Sequence, residues 1–181
     1  LRAPFAITIV AIEPAVKPAA LRSRSRVVGV LATTGTVSSP NMAKLLANYG
    51  DVEFLIQPCP GLADQVEKGE LASLETRALV ERYVRPLTEK GADILVLGCT
   101  HYPFLRPLIQ EVAGPGVDII DPATAVAREL RRRLDAGGLI REGTEQGHEQ
   151  FWTSGGVDNA IRTMGQLWGR PVHVLSLDGG R

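Results

Sequence analysis

The stretch Ile94-Leu95-Val96-Leu97-Gly98, followed at once by Cys99-Thr100-His101-Tyr102-Pro103, constrains this chain more than any other. Four apolar β-formers in a row show no polar alternation, so they specify a strand buried on both faces. Such a strand needs a parallel sheet with layers on either side. Gly98 ends it where the chain must turn. Cys99, Thr100 and His101 then fall just past the carboxyl end of a parallel strand, which is where open α/β sheets bind ligands.

The rest of the chain alternates to match. Apolar runs at Phe5–Ile12, Val27–Leu31, Val52–Gln57 and Val117–Ile120 read as further strands. Helical spacing appears at Asn41–Tyr49, with Met42, Leu45, Leu46 and Tyr49 on one face. It appears again at Leu62–Lys68, at about Ala72–Lys90, near Leu105–Ala113, and from Asp121-Pro122 through Arg133. Pro86 should bend or split the last turn of the longest helix, and Gly91 should cap it. Glu13-Pro14 stops the first strand, and Pro18 limits any helix there. Arg22, Arg24 and Arg26 read as a solvated loop. Asp135–Gln150 reads as a surface linker, before a strand at Phe151–Thr153, a helix at Asp158–Trp168 and a strand at Val172–Leu175. Strand and helix in alternation predict an α/β fold with a mostly parallel sheet.

Composition narrows the function. The 181 residues carry 20 Lys plus Arg against 20 Asp plus Glu. A net charge near zero argues against nucleic acid or an acidic membrane surface as the main partner. Two distant cysteines, Cys59 and Cys99, form neither a disulfide framework nor zinc-ribbon spacing. The chain reads as cytoplasmic and reduced. No apolar run approaches the roughly 18 residues that span a bilayer. Phe5–Ile12 is too short and is followed by no cleavage site. Leu1 rather than methionine opens the sequence, which leaves residues before it possible.

Cys99 has two readings, a small buried apolar residue or a reactive thiol. Its place after a glycine at a strand end favours the second. A nearby imidazole or helix N-terminus lowers a thiol pKa, and His101 and the helix expected after Pro103 supply both. His101 can give or take a proton from there. Thr33-Thr34-Gly35-Thr36 offers hydroxyls and backbone N–H groups that suit a carboxylate or phosphate; ordinary capping explains it equally well. The loop lacks the lysine and glycine spacing of a P-loop. Glu67 alone reads as solvated. No set of residues stands at metal-ligand spacing, so no metal is expected.

Leu97-Gly98-Cys99-Thr100-His101-Tyr102-Pro103 closely resembles the corresponding motif of the glutamate racemases, in the aspartate/glutamate racemase superfamily. Ile12–Ala19, Val28–Thr33 with Gly35-Thr36-Val37, and Cys59-Pro60 with Val66-Glu67 and Gly69 extend the resemblance, in order, over roughly residues 6 to 135. The resemblance implies two Rossmann-like parallel-sheet domains and a cofactor-independent isomerase that interconverts L- and D-glutamate. D-glutamate of this origin supplies peptidoglycan, hence cell wall and cell shape. The family uses two cysteines on opposite faces of the substrate, because inversion needs a base on one side and an acid on the other. Cys99 matches the second of these. By the same resemblance Thr100 and His101 bind substrate, His101 also assists Cys99, Thr33 and Thr36 stand near the substrate, and Glu67 pairs with His101. Cys59 matches a position without a proton-transfer role. A homodimer is the assembly the family commonly forms.

The chain also departs from the family. The Asp-Ser loop, the Tyr-Gly loop and the Cys-Asn-Thr loop of the family's first half do not occur in it. The expectation is therefore a fragment lacking the N-terminal portion. Residues 13–120 would form a complete α/β domain carrying Cys99. Residues 1–12 and 121–181 would form the remainder of a second α/β domain whose N-terminal half is absent. Such a chain should be poorly active or inactive alone, and its uncovered apolar surface should favour association. Two other readings compete: a superfamily relative that uses one cysteine, as another amino-acid racemase or a decarboxylase, and a truncated, inactive binding protein.

Overall fold

The computed structural model describes residues 9–10, 15–37, 44, 46–141, 143 and 147–177. Strands β1 (Val27–Ala32), β2 (Glu53–Pro58), β3 (Ile94–Leu97) and β4 (Asp118–Ile120) form one parallel sheet in the order β2-β1-β3-β4. β1 lies at its centre, with Val28 opposite Phe54 on one side and Ile94 on the other. Side chains alternate across each strand. Leu31, Leu95, Leu97 and Ile119 pack beneath α3 (Leu62–Glu67), α4 (Leu74–Glu89) and α5 (Arg106–Ala113). Val28, Val30, Ala32, Ile94, Val96 and Ile120 face the other way, with Ala19 and Ala20 of α1 (Val16–Arg22) among their neighbours. All four residues of β3 are buried, as its unbroken apolar run predicts.

The remaining elements extend this sheet. A helical turn, α2 (Thr34–Val37), follows β1, and a 3-10 turn at Tyr102–Leu105 leads into α5. After β4 comes α6 (Ala123–Ala136). A second, two-stranded parallel sheet joins β5 (Phe151–Thr153) to β6 (Val174–Ser176) through α7 (Val157–Trp168). Phe151 meets the Trp168 ring edge-on at 5.3 Å.

Several local expectations change. Val16–Arg22 is helical although Pro18 lies within it. Proline is tolerated there because N–H groups of a first turn have no helical partner. Arg24 is solvated as expected, its side chain 86% exposed, whereas Arg22 and Arg26 also find partners. Arg22 pairs with Asp118 at 3.0 Å, and Arg26 donates to the Ala20 carbonyl at 3.0 Å and pairs with Asp51. The longest helix starts at Leu74, where Ser73 accepts from the Thr76 N–H at 3.2 Å, and it runs through Pro86 to Glu89. Gly91, at φ +87°, ends it as expected. α6 reaches Ala136, beyond Arg133. β6 begins at Val174 rather than Val172. Of the expected strand Phe5–Ile12, only Ile9 and Val10 are described, and they belong to no element. Of the expected helix Asn41–Tyr49, Lys44, Leu46 and Ala47 are helical, while Asn41, Met42, Ala43 and Leu45 lie outside the described residues.

Asp93 ties the foot of β3 to the turn before β1. Its carboxylate accepts from the Ser23 hydroxyl at 2.7 Å and from the N–H groups of Arg24 and Ser25 at 2.7 and 3.0 Å. Burial pushes its pKa up, but these hydrogen bonds more than offset burial and hold it at about 2, against an ordinary 3.8. That displacement corresponds to roughly 2 kcal/mol of stability. The folded pKa is depressed, so the contribution is full well above pH 4 and is lost as pH falls toward 2. Asp93→Ala should therefore lower stability by about 2 kcal/mol at pH 7. In urea unfolding, its gap from wild type should shrink to about half near pH 3. A gap unchanged between pH 7 and pH 3 would contradict this assignment.

Candidate active site

The thiol loop is held by backbone contacts. The Gly98 N–H donates to the Leu31 carbonyl at 2.8 Å, carrying the β1–β3 pairing one residue past the strand. A Cβ on Gly98 would stand 2.8 Å from that same carbonyl oxygen, so any side chain there pushes the loop off β1. The Cys99 carbonyl accepts from the Tyr102 N–H at 3.2 Å, closing the turn. Tyr102 is fully buried and its hydroxyl donates to the Cys59 carbonyl at 3.4 Å. Burial pushes the Tyr102 phenol well above its ordinary pKa, so it stays a neutral anchor.

On this loop Cys99 is half-buried. Its Sγ lies 3.6 Å from His101 Nδ1, and His101 Nε2 lies 2.5 Å from Glu67 Oε1. A carboxylate only accepts, so the Nε2 hydrogen belongs to the bond with Glu67. Nδ1 is then the nitrogen left to exchange a proton with the thiol. The line Cys99–His101–Glu67 joins the loop after β3 to the last residue of α3, 34 residues earlier for the His101–Glu67 pair. The Glu67 side chain is 68% exposed, against 32% for His101. An exposed pair of this kind contributes little to stability, and its effect is on orientation.

The hydroxyl loop faces the same space. Thr33 Oγ1 and Thr36 Oγ1 are 2.9 Å apart, and the Thr36 N–H donates to Thr33 Oγ1 at 3.3 Å. A cleft of about 510 Å³ is lined by Thr33, Thr36, Cys99, Thr100, His101 and Asp121, among others. That volume suits a small-molecule ligand. Five of the six residues singled out from the sequence thus share one wall, and the sixth, Glu67, stands behind His101. Asp121 was read from the sequence only as the opening of a helix. It does fill that role, accepting from the Ala123 N–H at 2.8 Å, but it also lines the cleft. The signal that finds Cys99, a polar residue directly after a buried parallel strand, finds Asp121 too.

Cys59 stands apart. It is 2% exposed, and its Sγ donates to the Gln57 carbonyl at 3.3 Å. Burial pushes its thiol up to about 12, although the Ala32 backbone and the Tyr102 hydroxyl pull the other way. Cys59 and Cys99 are both free thiols. Among the described residues, no group of three or more His, Cys, Asp and Glu side chains is placed to hold a metal ion, and no helix is long and apolar enough to cross a membrane.

Comparison with known proteins shows the family and the fold. Residues 1–130 match the family described as Asp/Glu/Hydantoin racemase. A glutamate racemase from Methylococcus capsulatus is 49% identical over 99% of this chain and 67% of its own length. The crystal structure of glutamate racemase isoform RacE1 from Bacillus anthracis superposes with a TM-score of 0.75 at 29% identity, over 90% of this chain and 62% of that one. The Escherichia coli glutamate racemase, crystallised with L-glutamate and the activator UDP-MurNAc-ala, shares the fold with a TM-score of 0.80 at 24% identity, over 97% of this chain and 66% of that one. The chain thus spans about two thirds of the length of these relatives. On the family match over residues 1–130 and the 49% identity to a glutamate racemase, this chain belongs to the Asp/Glu/hydantoin racemase family, among its glutamate racemases.

Proposed function

We propose that the chain carries one proton-transfer half of a glutamate racemase site, and that Cys99 is its thiol. The observation that supports this most is the Cys99–His101–Glu67 line opening onto a cleft walled by Thr33, Thr36 and Thr100. The α-hydrogen of an amino acid is very weakly acidic, so the base must be held in contact and the charge that develops must be stabilised. Cys99 as thiolate takes that hydrogen, and as thiol returns it. His101 Nδ1 carries the proton between turns of the thiol, with its ring held by Glu67. The hydroxyls of Thr33, Thr36 and Thr100 hold the carboxylates of glutamate and donate to the α-carboxylate as it gains charge. The substrate is L- or D-glutamate, no cofactor enters the reaction, and the setting is cytoplasmic, where Cys99 stays reduced.

Inversion needs a second proton donor across the substrate. Cys59 is too buried to serve, so among the described residues Cys99 is the one thiol at the cleft. We assign residues 13–120 to a complete domain, with residues 1–12 and 121–181 belonging to the remainder of a second domain that presents the opposing group. A one-cysteine relative is the competing reading, and isotope exchange separates the two. In deuterated water, this polypeptide should exchange the α-hydrogen of one glutamate enantiomer without two-way racemisation. Cys99→Ser should slow that exchange by about a hundredfold or more. Exchange unaffected by Cys99→Ser would contradict the role of Cys99. Full two-way racemisation by these residues would contradict the single-thiol assignment.

The two cysteines should also separate chemically. A thiol pushed up to about 12 is protonated throughout the neutral and mildly alkaline range. Only the thiolate alkylates. Iodoacetamide at pH 8, followed by peptide mass mapping, should therefore label Cys99 and leave Cys59 unmodified until the protein is unfolded. Labelling of native Cys59 at a rate equal to that of Cys99 would contradict the structure.

A further inference from the structure

The turn beneath Glu67 is completed by a distant helix. α3 ends at Glu67, and the last carbonyls of a helix have no partner within it. Asp64, Gln65 and Val66 find theirs locally, in the N–H groups of Lys68, Glu70 and Gly69. The carbonyls of Glu67 and Gly69 find theirs in α7. Thr163 Oγ1 donates to the Glu67 carbonyl at 3.2 Å, and Gln166 Nε2 donates to the Gly69 carbonyl at 2.9 Å. Three residues apart on one helix, these two side chains share a face. Thr163 is only 5% exposed, so its hydroxyl is committed to this contact. Gly69 has φ +76°, and a Cβ there would stand 2.5 Å from Gln166 Oε1. Glycine at this position both permits the left-handed turn and leaves room for the glutamine.

The same residue that α7 grips by its carbonyl presents its carboxylate to His101 at 2.5 Å. That side chain is largely exposed, so packing does little to hold it. Where the carboxylate stands is decided by the backbone beneath it. We infer that Thr163 and Gln166 are positioning residues: by capping the end of α3 they set Glu67 against His101, and through His101 the proton exchange of Cys99. The inference rests on the reading of Cys99–His101–Glu67 as one functional line. It adds that a helix from the C-terminal part of the chain, whose contact with Glu67 spans 96 residues, is mechanically part of that line.

The test reads the thiol and the imidazole directly, without relying on turnover. Thr163→Val and Gln166→Leu, singly and together, remove the donors at nearly constant volume. The double variant should slow alkylation of Cys99 by iodoacetamide by roughly three- to tenfold. It should also move the His101 ring 15N shifts in the direction that Glu67→Gln moves them. Thr163→Ser keeps the hydroxyl and should behave as wild type in both measurements. Unlabelled Cys59 reports that each variant is folded; if the double variant labels there, the single variants carry the test with smaller changes of the same sign. Folded variants with wild-type alkylation and wild-type ring shifts, alongside a Glu67→Gln protein that changes both, would overturn the inference alone. A Glu67→Gln protein that changes neither would overturn the underlying reading, and the inference with it.

Discussion

The parallel pairing of β1 with its two neighbours is the constraint on which the rest depends. Parallel strands present all their carboxyl ends at one edge of the sheet. The hydroxyl loop after β1, the thiol loop after β3 and Asp121 after β4 therefore meet in one cleft, although nearly ninety positions separate Thr33 from Asp121. The Gly98 N–H to Leu31 carbonyl bond extends this pairing to the brink of Cys99. Without a side chain at residue 98, the thiol loop leaves the sheet in contact with β1. At the other end of β3, Asp93 fixes the strand through three hydrogen bonds to the turn before β1. The strand that carries the thiol is thus tied at both ends.

Chemistry is added to this frame by a small number of polar links between elements. His101 reaches Glu67 on α3, and α3 in turn is capped by Thr163 and Gln166 on α7. The links from α7 satisfy carbonyls at the end of α3 and in the turn after it. Among the described residues, no buried side-chain nitrogen or oxygen is left without a hydrogen bond. The two cysteines show how environment sorts one side chain into two roles. Cys59 is enclosed and its thiol is pushed toward the neutral form, while Cys99 is half-buried beside an imidazole at the cleft.

How much of this was readable beforehand differs by residue, for physical reasons. β3 was legible because a run without polar alternation has one stable home, inside a two-faced sheet. Cys99 followed from its position after Gly98. α1 was missed because Pro18 reads as a breaker, and its harmlessness in a first turn depends on where the helix starts. Arg22 and Arg26 looked merely solvated because their partners, Asp118 and Asp51, come from remote segments. Glu67 gave no signal of its own; the resemblance to a family pointed to it, since no spacing rule joins positions 67 and 101. Thr163 and Gln166 were invisible for the same reason, being polar residues on a helix face that looks solvated until its tertiary neighbour is known.

The central claim is that one edge of this sheet binds an amino dicarboxylate between its thiol and hydroxyl loops. Titration of the 15N-labelled chain with D-glutamate, followed through its backbone amide shifts, tests it most directly. The account predicts saturable shifts concentrated at Thr33, Thr36, Cys99, Thr100 and His101, with Trp152 and Leu175 on the two-stranded sheet unmoved. Saturable shifts centred on that second sheet, with the loops after β1 and β3 silent, would contradict it.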